Sequence, residues 1–153
     1  MKFVKFLKSC GAYGCVYERR NGDKWLICEG VGMKIPTGVM SLLGVGEVSE
    51  KAGEVIEAII GSDIDDKVIL SRATISADGK ASDIVRVFST QLADEVGISN
   101  ANFGLLEKSD MNLAYLEIED EIGDEPSVDR YLLVLDRSDE VVGFITGVDP
   151  DRY

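Results

Sequence analysis

The residues able to do chemistry are carboxylates, three cysteines and one small group of cations and aromatics; none of the 153 positions is histidine. That absence removes Ser-His-Asp and Cys-His catalysis, imidazole acid–base work near neutral pH, and every zinc site that uses imidazole. Cys10, Cys15 and Cys28 are one thiolate short of an all-cysteine zinc site, and no C-x-x-C pair exists. Without an activating base, such thiols read as small apolar filling. Gly30-Val31-Gly32 and Gly44-Val45-Gly46 lack the third glycine of a dinucleotide loop, and no Gly-Lys-Ser/Thr is present. Acidic residues crowd two places: Asp63, Asp65 and Asp66, and then Glu117, Glu119, Asp120, Glu121, Asp124, Glu125 and Asp129. Calcium or magnesium needs oxygen ligands that converge, and neither spacing fits a calcium loop. Glu117 and Glu119 alternate along a strand, which points them to a solvated face. No metal and no cofactor is expected.

Tyr13, Tyr17 and Trp25 lie close in sequence to Arg19, Arg20 and Lys24. Aromatics interleaved with cations can stack and neutralise single-stranded nucleic acid. Three cations neutralise few phosphates, so a nucleic-acid partner is not expected. These six residues, with Glu117, Glu119 and Glu121, are the expected interaction surface.

The net charge of −12 is unevenly placed. Residues 1–34 hold seven basic against three acidic residues, a net of +4; residues 35–153 hold nine against 25, a net of −16. An acidic body serves solubility first. It also admits an inhibitor that imitates nucleic acid and occupies a basic protein site. The length fits one domain, and 45% apolar content is too high for a disordered chain. No apolar run approaches the roughly 20 residues that span a bilayer, and the start lacks the continuous apolar stretch of a secretory signal. A cytoplasmic protein without membrane partners is expected.

The elements that must position these residues follow from periodicity. Phe3, Phe6, Leu7 and Cys10 form one stripe of a helix over 2–10, stopped by Gly11. Asn21-Gly22 closes a hairpin over 14–29. A two-residue turn there pairs Arg20 with Asp23, Tyr17 with Leu26 and Cys15 with Cys28, and sets Arg19 against Lys24. Residues 31–36 add a third strand, and 37–46 form an irregular connection. Ser49 caps a helix to Ile60, with Ala52, Val55, Ile56, Ile59 and Ile60 inward and Glu50, Glu54 and Glu57 outward. Residues 62–67 are a polar loop, 68–76 a strand and 77–80 a turn. Residues 82–96 have helical apolar spacing at Ile84, Val87, Phe88, Leu92 and Val96, although 84–89 alone also fits a strand. Four antiparallel strands end the chain, over 102–107, 112–119, 128–136 and 140–148. Ala114, Leu116 and Ile118 give that sheet one buried side. The expectation is a single α+β domain over 1–153: a four-stranded antiparallel C-terminal meander, an N-terminal helix plus β-hairpin, and two further helices.

The run Phe3-Val4-Lys5-Phe6-Leu7-Lys8-Ser9-Cys10-Gly11, with the Tyr-Gly hairpin after it, resembles the opening of small uncharacterised proteins of phages and prophages of Gram-positive bacteria. The resemblance covers about a fifth of the chain and implies a small accessory protein and no particular chemistry. The functional expectation is a non-enzymatic protein-binding or accessory protein that works through a protein partner or self-association. Two alternatives stay open: an acidic nucleic-acid-mimicking inhibitor of a nucleic-acid-binding protein, and a carboxylate-based metal-dependent enzyme.

Overall fold

The structure is a computed structural model that describes residues 1–36, 46–64, 66–74, 84–110, 112–122 and 125–148, with the backbone alone at 120–122 and 125–126. It is mixed α+β, with three α-helices and ten strands among the described residues. Helix α1 (Phe3–Cys10) buries Phe6 and Cys10 and leaves Lys2, Lys5 and Lys8 in solvent. Gly11 ends it at φ 54°, a left-handed value that favours glycine.

Strands β1 (Cys15–Glu18) and β2 (Lys24–Cys28) form the expected hairpin in a register one residue away from the expected one. The loop is three residues, Arg20-Asn21-Gly22. The Arg19 N–H donates to the Asp23 carbonyl at 2.8 Å and the Gly22 N–H to the Arg19 carbonyl at 3.0 Å. Gly22, at φ 92°, closes the loop. A turn followed by one left-handed glycine satisfies Asn-Gly as well as the two-residue form does. Cys15 therefore faces Ile27, Tyr17 faces Trp25, and Glu18 faces Lys24 in place of the expected Arg19–Lys24 pair. Cys15 and Cys28 fall on opposite faces of the sheet because a slip of one residue inverts a strand's parity. All three cysteines are free thiols.

The main sheet has the order β4-β1-β2-β3-β10-β9-β8. Its members are β3 (Val31–Lys34), β4 (Gly46–Glu47), β8 (Leu113–Ile122), β9 (Glu125–Leu135) and β10 (Val141–Thr146), with the β1–β2 hairpin. Only β4 runs parallel to its neighbour, β1. A second sheet orders β5 (Ile69–Thr74), β6 (Val85–Ser89) and β7 (Glu95–Ser99).

Two expectations fail here. Residues 102–107 are not a strand: Ser99 caps a one-turn helix, α3 (Asn100–Phe103), and turns follow it. The C-terminal meander thus has three consecutive strands. β10 takes its other neighbour from the N-terminal β3, which makes a seven-stranded sheet. Nor do the described residues of 82–96 form a helix; they contain β6 and the start of β7, joined by a turn closed by the Thr90 N–H on the Asp94 carbonyl at 2.9 Å. Val85 and Val87, β-branched and fully paired on both sides, favour the strand. The expected turn at 77–80, residues 75–76 of the expected strand, and 37–45 of the expected irregular connection lie outside the described residues.

The main sheet is covered on both faces. Alternate residues of β9 divide between them: Leu132 and Val134 join Phe6, Cys10, Leu26, Val31, Met33, Phe88 and Ile98 on one face. Tyr131, Leu133 and Leu135 join Trp25, Phe144 and the helix α2 (Glu50–Ile60) on the other. Ser49 caps α2 as expected, its hydroxyl accepting from the Ala52 N–H at 3.3 Å. The buried stripe is Gly53, Ile56, Ile59 and Ile60, while Ala52 and Val55 are exposed. Gly53 turns the helix this way because the Tyr17 ring lies over it; a Cβ at 53 would stand 3.2 Å from Tyr17 Cε2. No described helix is long and apolar enough to cross a membrane.

Candidate functional site

The expected interaction surface separates into two sites at opposite edges of the seven-stranded sheet. At the β4–β1 end, the hairpin, β4 and the first turns of α2 form an open cleft of about 1070 Å³ lined by Tyr17, Arg19, Arg20, Lys24, Glu50 and Glu54, among others. Its floor is a clamp. Glu57 accepts from the Tyr17 hydroxyl at 2.6 Å and from Arg19 through Nη2 at 2.7 Å and Nε at 3.2 Å. The Arg19 and Tyr17 hydrogen bonds hold the Glu57 carboxyl below its ordinary range, and the same carboxylate pushes the Tyr17 phenol up. A carboxylate already satisfied by three donors is a weak base, and a phenol bonded to it is a weak acid at neutral pH. The clamp therefore ties the hairpin to α2 and offers no acid–base pair.

Of the other residues expected here, Trp25 is 1% exposed and stacks on Phe144 at 6.1 Å inside the core, so it is not part of an open face. Tyr13 is 83% exposed and does not line the cleft. Glu57 was expected on the solvent side of its helix. Its role comes from residues 38 and 40 positions away, which no local pattern reveals.

At the opposite edge lies β8. Hydrogen-bonding groups alternate along a strand, and three contacts fix their direction here. The Asn112 carbonyl accepts from Leu135 of β9 at 2.9 Å, so even positions bond inward. Odd positions point out: the Leu113 carbonyl accepts from the Val68 N–H at 3.0 Å, and the Tyr115 N–H donates to the Asp66 carbonyl at 2.8 Å. The segment 66–68 thus lies antiparallel against β8, with Lys67 opposite Ala114. Beyond Tyr115 nothing among the described residues pairs with the outer edge, while β9 continues to pair with the inner one as far as Ile122–Glu125. Glu117, Glu119 and position 121 carry the outward backbone groups of this stretch. Both glutamates are exposed, and Leu116 and Ile118, which alternate with them, are half-buried against the α2-side core.

The charges do not gather. Asp129 pairs with Ile118, which places it on the face away from Glu117 and Glu119, so this hairpin has no single acidic face among its described side chains. No three described Asp, Glu or Cys side chains converge in metal-ligating geometry. Comparison with family models, with curated proteins and with solved structures gave no match.

Proposed function

We propose that the protein is a non-enzymatic binding protein that accepts an extended segment of a partner protein as an eighth strand on the outer edge of β8. One observation carries this reading: the chain's own residues 66–68 already use the first two outward positions of that edge, and the same ladder then runs on without a described partner. Strand addition takes affinity from main-chain hydrogen bonds and selectivity from alternate side chains. An edge stretch from Glu117 to position 121, about 14 Å at 3.4 Å per residue, presents three N–H and three C=O groups for it.

The test uses proline as a selective eraser. At position 119 it removes an outward N–H and leaves the inward ladder to β9 intact, a placement edge strands tolerate. Random peptides selected on the intact protein are re-tested on Glu119→Pro, with circular dichroism confirming an unchanged fold. Peptides that bind the parent and lose the variant support strand addition. Peptides that bind both equally, or a selection that yields no binder, would count against it.

A further inference from the structure

The edge also specifies who can occupy it. We infer that its occupant is an extended segment in which basic residues alternate with apolar ones, supplied by a different protein and not by a second copy of this chain. This inference rests on the strand-addition reading and adds the chemistry of the partner.

The outward positions decide the matter. In an antiparallel pair, positions with free backbone groups face positions with free backbone groups. On β8 the outward positions 113 and 115 are already taken by residues 66–68, which leaves Glu117, Glu119 and position 121, also a glutamate. Two copies meeting edge to edge would therefore set glutamate against glutamate in every available register. Like charges directly opposite each other oppose pairing, and charged edges are a known protection against self-addition. Opposite charges at the same positions favour it. Glu117 has Arg130 across from it on β9 and accepts from the Tyr115 hydroxyl at 3.1 Å; Glu119 has Val128 across from it, 46% exposed, and no charged partner among the described residues. A basic side chain opposite Glu119 therefore gains most. The residue between the two basic ones that face Glu117 and Glu119 falls on the other face, beside half-buried Ile118, where an apolar side chain suits. Opposite residues 117–119 the matching segment therefore reads basic-apolar-basic.

The experiment measures binding of capped Lys-Val-Lys-Val-Lys, Thr-Val-Thr-Val-Thr and Glu-Val-Glu-Val-Glu peptides to the parent, to Glu119→Pro and to the charge-reversed Glu117→Lys/Glu119→Lys protein, by NMR titration of backbone amides. The lysine peptide is expected to bind the parent about tenfold tighter than the threonine peptide, from two cross-strand charge pairs. Charge reversal is expected to exchange the preference toward the glutamate peptide. Equal binding of the lysine and threonine peptides would overturn the basic specificity and leave strand addition standing. Lysine-peptide binding that survives proline at 119 would overturn both, since it would then be surface attraction without pairing. Failure of all three peptides would overturn the inference, and the library selection then shows separately whether the edge takes any strand. Sedimentation of the parent should show no association through β8; a dimer that dissociates on Glu119→Pro would refute the exclusion of a second copy.

Discussion

Gly32→Ala is the sharpest test of how the two halves of the main sheet are joined. Gly32 of β3 sits directly opposite Phe144 of β10, at the seam between the N-terminal hairpin and the C-terminal meander. The Phe144 ring lies across the glycine: a Cβ there would stand 2.2 Å from Cε1, 2.5 Å from Cζ and 2.9 Å from Ile27 Cδ1. Carbon atoms in comfortable contact are about 3.5 Å apart, so the ring must move by more than about 1 Å. It is 2% exposed, stacked on Trp25 at 6.1 Å and edge-on to Tyr131 at 6.4 Å, so it cannot swing free. Overpacking of this kind costs about 1–3 kcal/mol, and weakening two aromatic pairs adds about 1 kcal/mol. The gain from a less flexible unfolded chain offsets about 0.5 kcal/mol. The expected net loss is about 2–3 kcal/mol. Phe144→Ala should cost about 3–5 kcal/mol alone. The double variant should cost at least about 1 kcal/mol less than the sum, because removing the ring makes room for the methyl. Urea unfolding followed by fluorescence of Trp25, the one tryptophan, reports on the seam directly. A Gly32→Ala loss under about 0.5 kcal/mol, or strictly additive effects, would refute this account of the joint.

Three further outcomes follow from the buried and clamped groups. Glu57→Gln should lower stability at neutral pH by about 1 kcal/mol, a modest figure because the Glu57 side chain is 45% exposed. Since the folded carboxyl titrates below its ordinary 4.5, the parent's advantage is present above that value and disappears as pH falls through the folded one; a difference that persists unchanged in acid would contradict the clamp. Burial, with Glu117 beside it, pushes the Tyr115 phenol up to about 12. Its stabilising contribution is whole below pH 10 and is lost as pH rises toward 12, so Tyr115→Phe should remove phenolate absorbance only from the late part of an alkaline titration. Burial, and then the Cys28 thiol beside it, push Cys10 up to about 12; under native conditions iodoacetamide should modify Cys15 and Cys28 before Cys10, as read by peptide mass, and early loss of Cys10 would show that α1 is not docked as described.

Much of the framework was legible because it is written locally. The stripe of α1, the Ser49 cap and the strands β8 to β10 each follow from residues within a few positions. What was missed has specific causes. The turn between β6 and β7 carries no glycine, proline or asparagine; Ala93 takes the left-handed conformation at φ 67° and Leu92 stands 80% exposed at the tip, so an apolar residue in solvent imitated the next position of a helical stripe. The hairpin register slipped by one because Asn-Gly serves two loop lengths. The two-sided burial of the main sheet is written in the unbroken run Tyr131-Leu132-Leu133-Val134-Leu135, buried at every position, while the alternation in β8, whose exposed glutamates lie beyond the core, points to one buried side. For the site, the glutamates of β8 were legible as a solvated row. That β8 is an edge, partly used by residues 66–68, depends on sheet order, which no spacing within β8 encodes.

Amide hydrogen exchange along β8 tests the central claim most directly. In the free protein the amides of Leu116 and Ile118, bonded inward to β9, should exchange slowly, and those of Glu117 and Glu119 fast. Saturating Lys-Val-Lys-Val-Lys should slow Glu117 and Glu119 and leave Leu116 and Ile118 as they were. Glutamate amides that are already slow without peptide, or that stay fast at saturation, would contradict it.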